Sequence, residues 1–182
     1  MTKKTNSKKE ESEKAGFSAG FLWGVAHSSH QVEGNNRNND WWRWERQGGS
    51  KDSSGRACDY WNLYAQDNQL AADLGCNALR LSLEWSRIEP KEGEFSAEAL
   101  EHYRKILLDL KEKKLQRAVT LWHWTLPLWL VEKYGGWHQK ETVDLFVRFG
   151  EKVIEKLGSE IEFFITLNEH NVVLGLGYLR GI

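Results

Sequence analysis

ALRLSLEWSRIEPKEGEFSAEALEHYRKILLDLKEKKLQRAVTLW, residues 78–122, holds a complete strand–helix–strand unit. Ala78-Leu-Arg-Leu-Ser-Leu83 is a short apolar run of strand character. Ser96 is placed to cap a helix running from Ala97 to Lys113, in which Leu100, Tyr103, Leu107 and Leu110 recur at helical spacing and form one apolar stripe. Gln116-Arg-Ala-Val-Thr-Leu-Trp122 returns to strand character. A helix long enough to cross back over a sheet is what parallel strands require, so the two strands are expected to lie side by side and parallel.

The same cycle extends in both directions. Upstream, Phe21-Leu-Trp-Gly-Val-Ala26 reads as a first strand, and Tyr60 to Leu74 as a helix with Tyr60, Leu63, Tyr64, Leu70, Ala71 and Leu74 on one face, stopped by Gly75. Between them, His27 to about Asp59 is polar and rich in tryptophan, glycine and asparagine, too long for an ordinary connection and therefore a functional loop. Downstream come a short helical insertion, Leu128 to Tyr134, and a long helix from about Thr142 to Leu157 with Phe146, Phe149, Val153 and Leu157 inward. A fourth strand, Glu162-Phe-Phe-Ile-Thr-Leu-Asn168, closes the series.

No glycine-rich turn follows the first strand, so a dinucleotide-binding sheet lacks its main sequence sign. Polar residues gather instead just after the strands: Gln31 and Glu33, then Glu84 and Arg87, then His123, then Asn168 and Glu169. That is where a (β/α)8 barrel builds its site, and such a barrel has eight strands in roughly 250 residues. Four strands are counted here. The expected fold is α/β, a partial (β/α)8 TIM barrel of about the first four βα units over residues 16–182. Residues 1–15, rich in lysine, serine and glutamate and lacking the apolar core of a secretory signal, are expected to form a disordered tail, with a cytoplasmic location as the default.

Composition narrows the function classes. Twenty-five lysines and arginines against 26 aspartates and glutamates leave a formal charge of -1, without the basic excess of a nucleic-acid binder. No apolar run approaches the roughly 20 residues that span a bilayer, so no membrane association is expected. Two cysteines, Cys58 and Cys76, are too few for a disulfide framework or a four-ligand zinc site, and are read as reduced thiols. His27 and His30 lie three apart, but no third ligand is in place, so no metal is expected. Lys111, Lys113 and Lys114 form a solvated helix face. Ten tryptophans in 182 residues are unusual, and fit either flat surfaces for stacking or a large aromatic core.

Four blocks carry a family resemblance. Phe21-Leu-Trp-Gly-Val-Ala-His-Ser-Ser-His-Gln-Val-Glu-Gly34 resembles the first-strand signature of family 1 glycoside hydrolases, the β-glucosidase/β-glycosidase family. Arg80-Leu-Ser-Leu-Glu-Trp-Ser-Arg-Ile-Glu-Pro90, Val119-Thr-Leu-Trp-His-Trp-Thr-Leu-Pro127 and Thr166-Leu-Asn-Glu169 resemble its second, third and fourth strand motifs, in the family's order and spacing from about Phe17 onward. The resemblance implies hydrolysis of terminal non-reducing β-D-glycosidic bonds with retention, without a cofactor, on a β-glycoside or oligosaccharide substrate, with β-galactosides and β-fucosides commonly tolerated; a 6-phospho-β-glycosidase is a close alternative. It further implies Glu169 as general acid/base, Asn168 on the sugar 2-hydroxyl, Gln31 and His123 on hydroxyls at the far ring edge, and Trp124 in the wall of the sugar site. Arg80 is implied to orient the nucleophilic carboxylate.

The residues agree with that chemistry. Glycoside cleavage of this kind needs two flanking carboxyl groups, one of them held protonated. Glu169, after the apolar strand residues 163–165, is expected at a rim where burial would raise its pKa. Arg80 in an otherwise apolar strand calls for a carboxylate partner. Trp122 and Trp129 are read as packing residues, Glu84 and Arg87 as members of structural ion pairs. The tryptophans of Asp40-Trp-Trp-Arg-Trp-Glu45 either border the leaving-group side or anchor the loop.

Two departures from the family pattern stand out. His170 takes the place of a proline after the acid/base, and when charged would lower the pKa of Glu169; His30 stands where an aromatic or small residue is usual. The sequence ends at Gly177-Tyr-Leu-Arg-Gly-Ile182, before the segment in which the resemblance puts the nucleophilic glutamate. The chain is therefore expected to supply the acid/base half, to be inactive by itself, and to leave open sheet edges for a C-terminal half, which as a separate chain is its expected partner. A non-catalytic sugar-binding or assembly fragment is the alternative.

Overall fold

The computed structural model describes residues 16–181; the tail expected over residues 1–15 lies outside the described residues. Strands β1 (Gly24–Ala26), β2 (Ala78–Ser82), β3 (Gln116–Trp122) and β4 (Phe163–Leu167) form a four-stranded sheet, parallel throughout and in chain order. The helices are α1 (Ser29–Val32), α2 (Asp40–Arg46), α3 (Tyr60–Asp73), α4 (Trp85–Ile88), α5 (Ala97–Glu112), α6 (Leu128–Tyr134), α7 (Glu141–Leu157) and α8 (His170–Val172), the last running into a π-helical stretch, Val173–Arg180. Sequential parallel strands joined through helices are the β/α units of a partial TIM barrel.

Register decides which side chains face the helices. Arg80 pairs with Ala26 and Ala118, and Thr120 pairs with Ser82 and Ile165. Successive side chains point to opposite faces, so these residues share the face away from the long helices. Leu79, Leu81, Val119 and Leu121 point the other way and are buried in the main core. That core is completed by Tyr103, Ile106, Leu107 and Leu110 of α5 and by Phe149, Val153 and Leu157 of α7. Trp85 of α4 stacks on Phe149 with ring centroids 4.9 Å apart. Each fully buried side chain of this size contributes roughly 1.5–3 kcal/mol. Ser96 caps α5 as expected, its side chain accepting from the Ala99 N–H at 3.1 Å.

β3 and β4 are tied together at their starts by Arg117. Its backbone N–H donates to Glu162 Oε2 at 2.8 Å, its Nε to the Glu160 carbonyl at 2.6 Å, and its guanidinium pairs with the other Glu162 oxygen. A planar fork satisfying a carboxylate and a carbonyl together fixes where β4 begins relative to β3.

The inner face of α3 differs from the expected one. Leu70 and Leu74 are exposed, whereas Asn68 is fully buried, donating to Asp109 of α5 at 2.8 Å and accepting from the Tyr60 hydroxyl at 2.9 Å. Tyr60, Tyr64, Asn68 and Ala71 follow the helical repeat more closely than the leucines do, and two partners offset the cost of burying one amide. The sheet edges are apolar and open, as expected: Trp23 and Val25 at β1, and Phe163 and Phe164 in β4, are all exposed. Truncating the Trp85–Phe149 stack by Phe149→Ala is expected to destabilise the chain by about 3–5 kcal/mol in urea unfolding, because the site is rigidly packed and cannot collapse.

Candidate active site

The loops that leave β1, β3 and β4 converge on one cleft of about 340 Å³, at the lower end of the roughly 300–1,000 Å³ usual for small-molecule sites. Gln31, His123, Trp124, Asn168 and Glu169 all line it. Ser28, His30, Trp41 and Thr125 complete the lining. Arg80, the sixth residue singled out in the sequence, stands behind this wall and touches it through Asn168.

Asn168 is the best-fixed member. Arg80 Nη2 donates to its Oδ1 at 2.5 Å, and Arg80 Nε donates to Thr120 Oγ1 at 2.9 Å. Arginine only donates, so the amide oxygen must face it; the amide nitrogen then points the other way and donates to Glu169 Oε2 at 3.4 Å. The Asn168 backbone is held as well, its N–H by the Trp122 carbonyl at 3.0 Å and its carbonyl by Trp124 Nε1 at 3.2 Å. Among the described residues Arg80 donates to a hydroxyl and an amide rather than to a carboxylate. One expectation is corrected here. Glu169 is exposed, so the burial expected around its carboxyl is not supplied by residues 16–181.

Two of the six described non-glycine residues with positive φ lie at the same place. Trp124 and Glu169 both adopt the left-handed region, with φ of +75° and +44°. Non-glycine residues accept that conformation at a cost of order 1–3 kcal/mol, and it persists where neighbouring contacts impose it. For Trp124 the contact is the indole bond to Asn168; for Glu169 the strained turn directs the carboxyl into the cleft beside that same asparagine.

His123 is kept neutral. Its pKa is pushed down to about 4, first by burial and then by the positive charge of Arg80. Behind it, His27 is likewise lowered to about 4, by burial and by His123; it packs on Tyr60 with centroids 4.4 Å apart, and neither of its ring nitrogens has a partner among the described residues. A neutral imidazole offers one donor and one acceptor. Among the described residues no three His, Cys, Asp or Glu side chains cluster as a metal site would need, and Cys58 and Cys76 are free thiols.

The sequence profile described as "Glycosyl hydrolase family 1" matches residues 13–182. The chain belongs to glycosyl hydrolase family 1. Among curated members of the family, "1,4-beta-D-glucan glucohydrolase" of Thermotoga neapolitana is 34% identical over 175 residues, covering 91% of this chain and 41% of that protein. Of solved structures, beta-glycosidase BGL167 superposes with a TM-score of 0.85 at 44% identity, covering 90% of this chain and 39% of the other. The "Beta-glucosidase from Thermotoga maritima in complex with deoxynojirimycin" superposes at 0.87 with 36% identity, covering 91% and 39%. The chain spans about two fifths of the length of the relatives it matches.

In this family 1 chain a layer of buried polar groups holds the cleft-lining loops together. Glu84, fully buried at the end of β2, accepts from Ser29 at 3.2 Å, Ser86 at 2.6 Å, Thr125 at 3.1 Å and Asn39 at 3.5 Å. It is not the ion-pair member expected from sequence: no cation pairs with it among the described residues, and hydroxyls and an amide from three loops donate hydrogen bonds to it instead. Arg87 does form an ion pair, with Glu33 at 2.9 Å, and its guanidinium also lies over the Trp61 ring at 4.1 Å. Tyr103 links the two carboxylates, donating to Glu33 Oε1 at 2.6 Å and accepting from the Glu84 N–H at 2.9 Å. Gly34, with φ +82°, follows Glu33 where any Cβ would lie 2.1 Å from the Arg56 carbonyl, so the turn admits only glycine.

His30 is an anchor of the first loop. Asn39 Oδ1 accepts from the Trp42 N–H at 2.9 Å, so its amide nitrogen faces His30 Nδ1 at 3.0 Å, and His30 Nε2 carries the proton toward Glu45 at 3.4 Å. Sequence reading missed Asn39, Thr125 and Ser29, because a lone polar residue in a loop carries no sign of the distant carboxylate it will meet.

Burial raises Glu33 to a pKa of about 7, against the opposing charge of Arg87. A carboxyl whose folded pKa lies above its unfolded value of 4.5 contributes stability that is complete below pH 4.5 and lost as pH rises through about 7. The stability advantage of wild type over Glu33→Gln is therefore expected to shrink between pH 5 and pH 8. The loss is on the order of 2 kcal/mol, since each tenfold change in a proton affinity is worth about 1.4 kcal/mol. Urea midpoints at the two pH values measure it.

Proposed function

We propose that the chain supplies the acid/base half of a retaining β-glycosidase of β-glucosidase type. The observation that carries this reading is the placement of Asn168 between Arg80 and Glu169 in the cleft that also holds Gln31, His123 and Trp124. A terminal β-linked sugar sits in the cleft with its 2-hydroxyl on Asn168, a contact that strengthens as the oxocarbenium-like state forms. Gln31 and neutral His123 each offer donor and acceptor to hydroxyls at the far ring edge. Trp124 packs on the C–H face of the ring.

Glu169 gives its proton to the glycosidic oxygen while a carboxylate opposite attacks the anomeric carbon; the C–O bond breaks, and the leaving group departs as the alcohol. A water then attacks the glycosyl-enzyme, handing its proton back to Glu169, and the sugar leaves with its configuration retained. The attacking carboxylate must lie about 5–5.5 Å from Glu169. Glu33, Glu84 and Glu45 are already engaged, Glu33 by Arg87 and Tyr103, Glu84 by hydroxyls, and Glu45 by Ser54. On this reading the nucleophile is none of these and is supplied from outside residues 16–181, with Arg80 orienting it, so that the 182-residue chain alone is inactive.

Joining residues 16–181 to the C-terminal portion of a solved family 1 relative tests this. The expected outcome is retaining hydrolysis of 4-nitrophenyl β-D-glucoside by the fusion, with kcat lowered at least about 100-fold by Glu169→Gln, within the usual range for a general acid, and no turnover by the chain alone. Turnover by the chain alone, or a fusion indifferent to Glu169→Gln, contradicts the reading. Sugar binding without hydrolysis in the fusion favours a binding fragment.

A further inference from the structure

Ser28 and Gln31 stand three residues apart at the start of α1, the spacing of a capping box. In that motif the serine accepts from the backbone N–H three residues on, and the glutamine there folds back to the serine's own N–H. Ser28 does hold the cap position, with φ −115° and ψ 150°, but its side chain makes no cap bond. Its hydroxyl donates to Gln31 Oε1 at 2.8 Å instead, and both residues line the cleft.

That hydroxyl stands on a fixed backbone. Ser28 and Ser29 are both buried, and the Ser28 carbonyl accepts from the Val32 N–H at 3.2 Å. The Ser29 N–H donates to Ser82 Oγ of β2 at 2.8 Å, its hydroxyl reaches Glu84, and its carbonyl accepts from Asn36 Nδ2 at 3.2 Å. Gln31, by contrast, is exposed, and nothing within its own side chain decides which end of the amide leads. The two ends are opposite in chemistry, since the nitrogen only donates and the oxygen only accepts. With the oxygen turned to Ser28, the nitrogen is the end presented to a ligand.

We propose that Ser28 is a positioning residue that sets the polarity of Gln31, so that the amide nitrogen meets the sugar and the ring-edge oxygen it reads is taken as an acceptor. The inference rests on the proposed glycosidase reading. The Gln31 carbonyl keeps a second lone pair for a neighbouring hydroxyl, so the side chain still offers both functions, but in a set order. An amide already turned to its ligand binds without giving up rotational freedom at that moment. The sugar selected is a pyranose with an acceptor atom at that ring position; one bearing a group that only donates there is rejected.

Binding to the full 182-residue chain tests this, with methyl β-D-glucoside and its 3-amino-3-deoxy and 4-amino-4-deoxy analogues titrated by NMR at pH 6 against wild type, Ser28→Ala, Ser28→Thr and Gln31→Ala. At that pH the amines are ammonium groups, which donate and cannot accept. Wild type is expected to favour the glucoside over at least one ammonium sugar by about threefold or more, within the range of one hydrogen bond, and that sugar marks the position Gln31 reads. In Ser28→Ala the amide is free to turn its carbonyl outward, so the glucoside is expected to weaken while the marked ammonium sugar strengthens. Ser28→Thr keeps the hydroxyl and is expected to restore the wild-type preference. A Ser28→Ala chain that keeps that preference, or weakens every ligand equally, overturns the polarity role and spares the site, as does a Ser28→Thr chain that behaves like Ser28→Ala. A Gln31→Ala chain that binds the glucoside like wild type, or a wild type that binds none of the three, overturns the site reading and the role of Ser28 with it.

Discussion

A positive charge in the concave face of a parallel sheet governs this structure. Arg80 stands among alanines, Ser82 and Thr120, and an arginine in such a place is costly unless its donors are used. Thr120 and Asn168 use them, and the bond to Asn168 decides which way that amide faces. From that orientation follows the contact with Glu169, while the Trp124 indole holds the Asn168 backbone carbonyl. The same charge helps keep His123 neutral, and so able to both donate and accept.

Around this centre the fold works by tying loops to one another. Strand pairing sets the ends of β2, β3 and β4 level, but only side chains can hold the loops that leave them. Glu84 gathers hydroxyls from α1, α4 and the β3–α6 loop, Glu33 and Arg87 meet beneath the first loop, and Asp40 fastens α2 to the third. Two buried carboxyl groups and the half-buried Asp40 make an expensive scaffold, offset by multiple donors for each. Such networks lose more when one member is removed than any single bond is worth.

The order of strands and long helices is legible in the sequence because it depends on periodicity, which is local. Gln116–Trp122 and Leu128–Tyr134 have the expected bounds, and Gln31, His123, Asn168 and Glu169, which follow the first, third and fourth strands, line one cleft, whereas Glu33, Glu84 and Arg87 do not. What escapes the sequence is what depends on distant partners. α1, α2 and α4 are too short to show a period, and α2 depends on the Asn39 cap and on Leu126 across the cleft. Asn68 displaces Leu70 and Leu74 from the inner face of α3 because Asp109 and Tyr60 wait for it. The exposure of Glu169 is equally unreadable, since burial at a strand end depends on what other loops cover it.

The most direct test of the Arg80–Asn168 arrangement as the heart of a sugar site is a titration of the isotope-labelled chain with deoxynojirimycin, a glucose-shaped iminosugar. The side-chain amides of Asn168 and Gln31 and the His123 imidazole are expected to shift together with one affinity, and all three responses to vanish in Asn168→Ala. Shifts confined to other surfaces, or unaltered by that substitution, would contradict it.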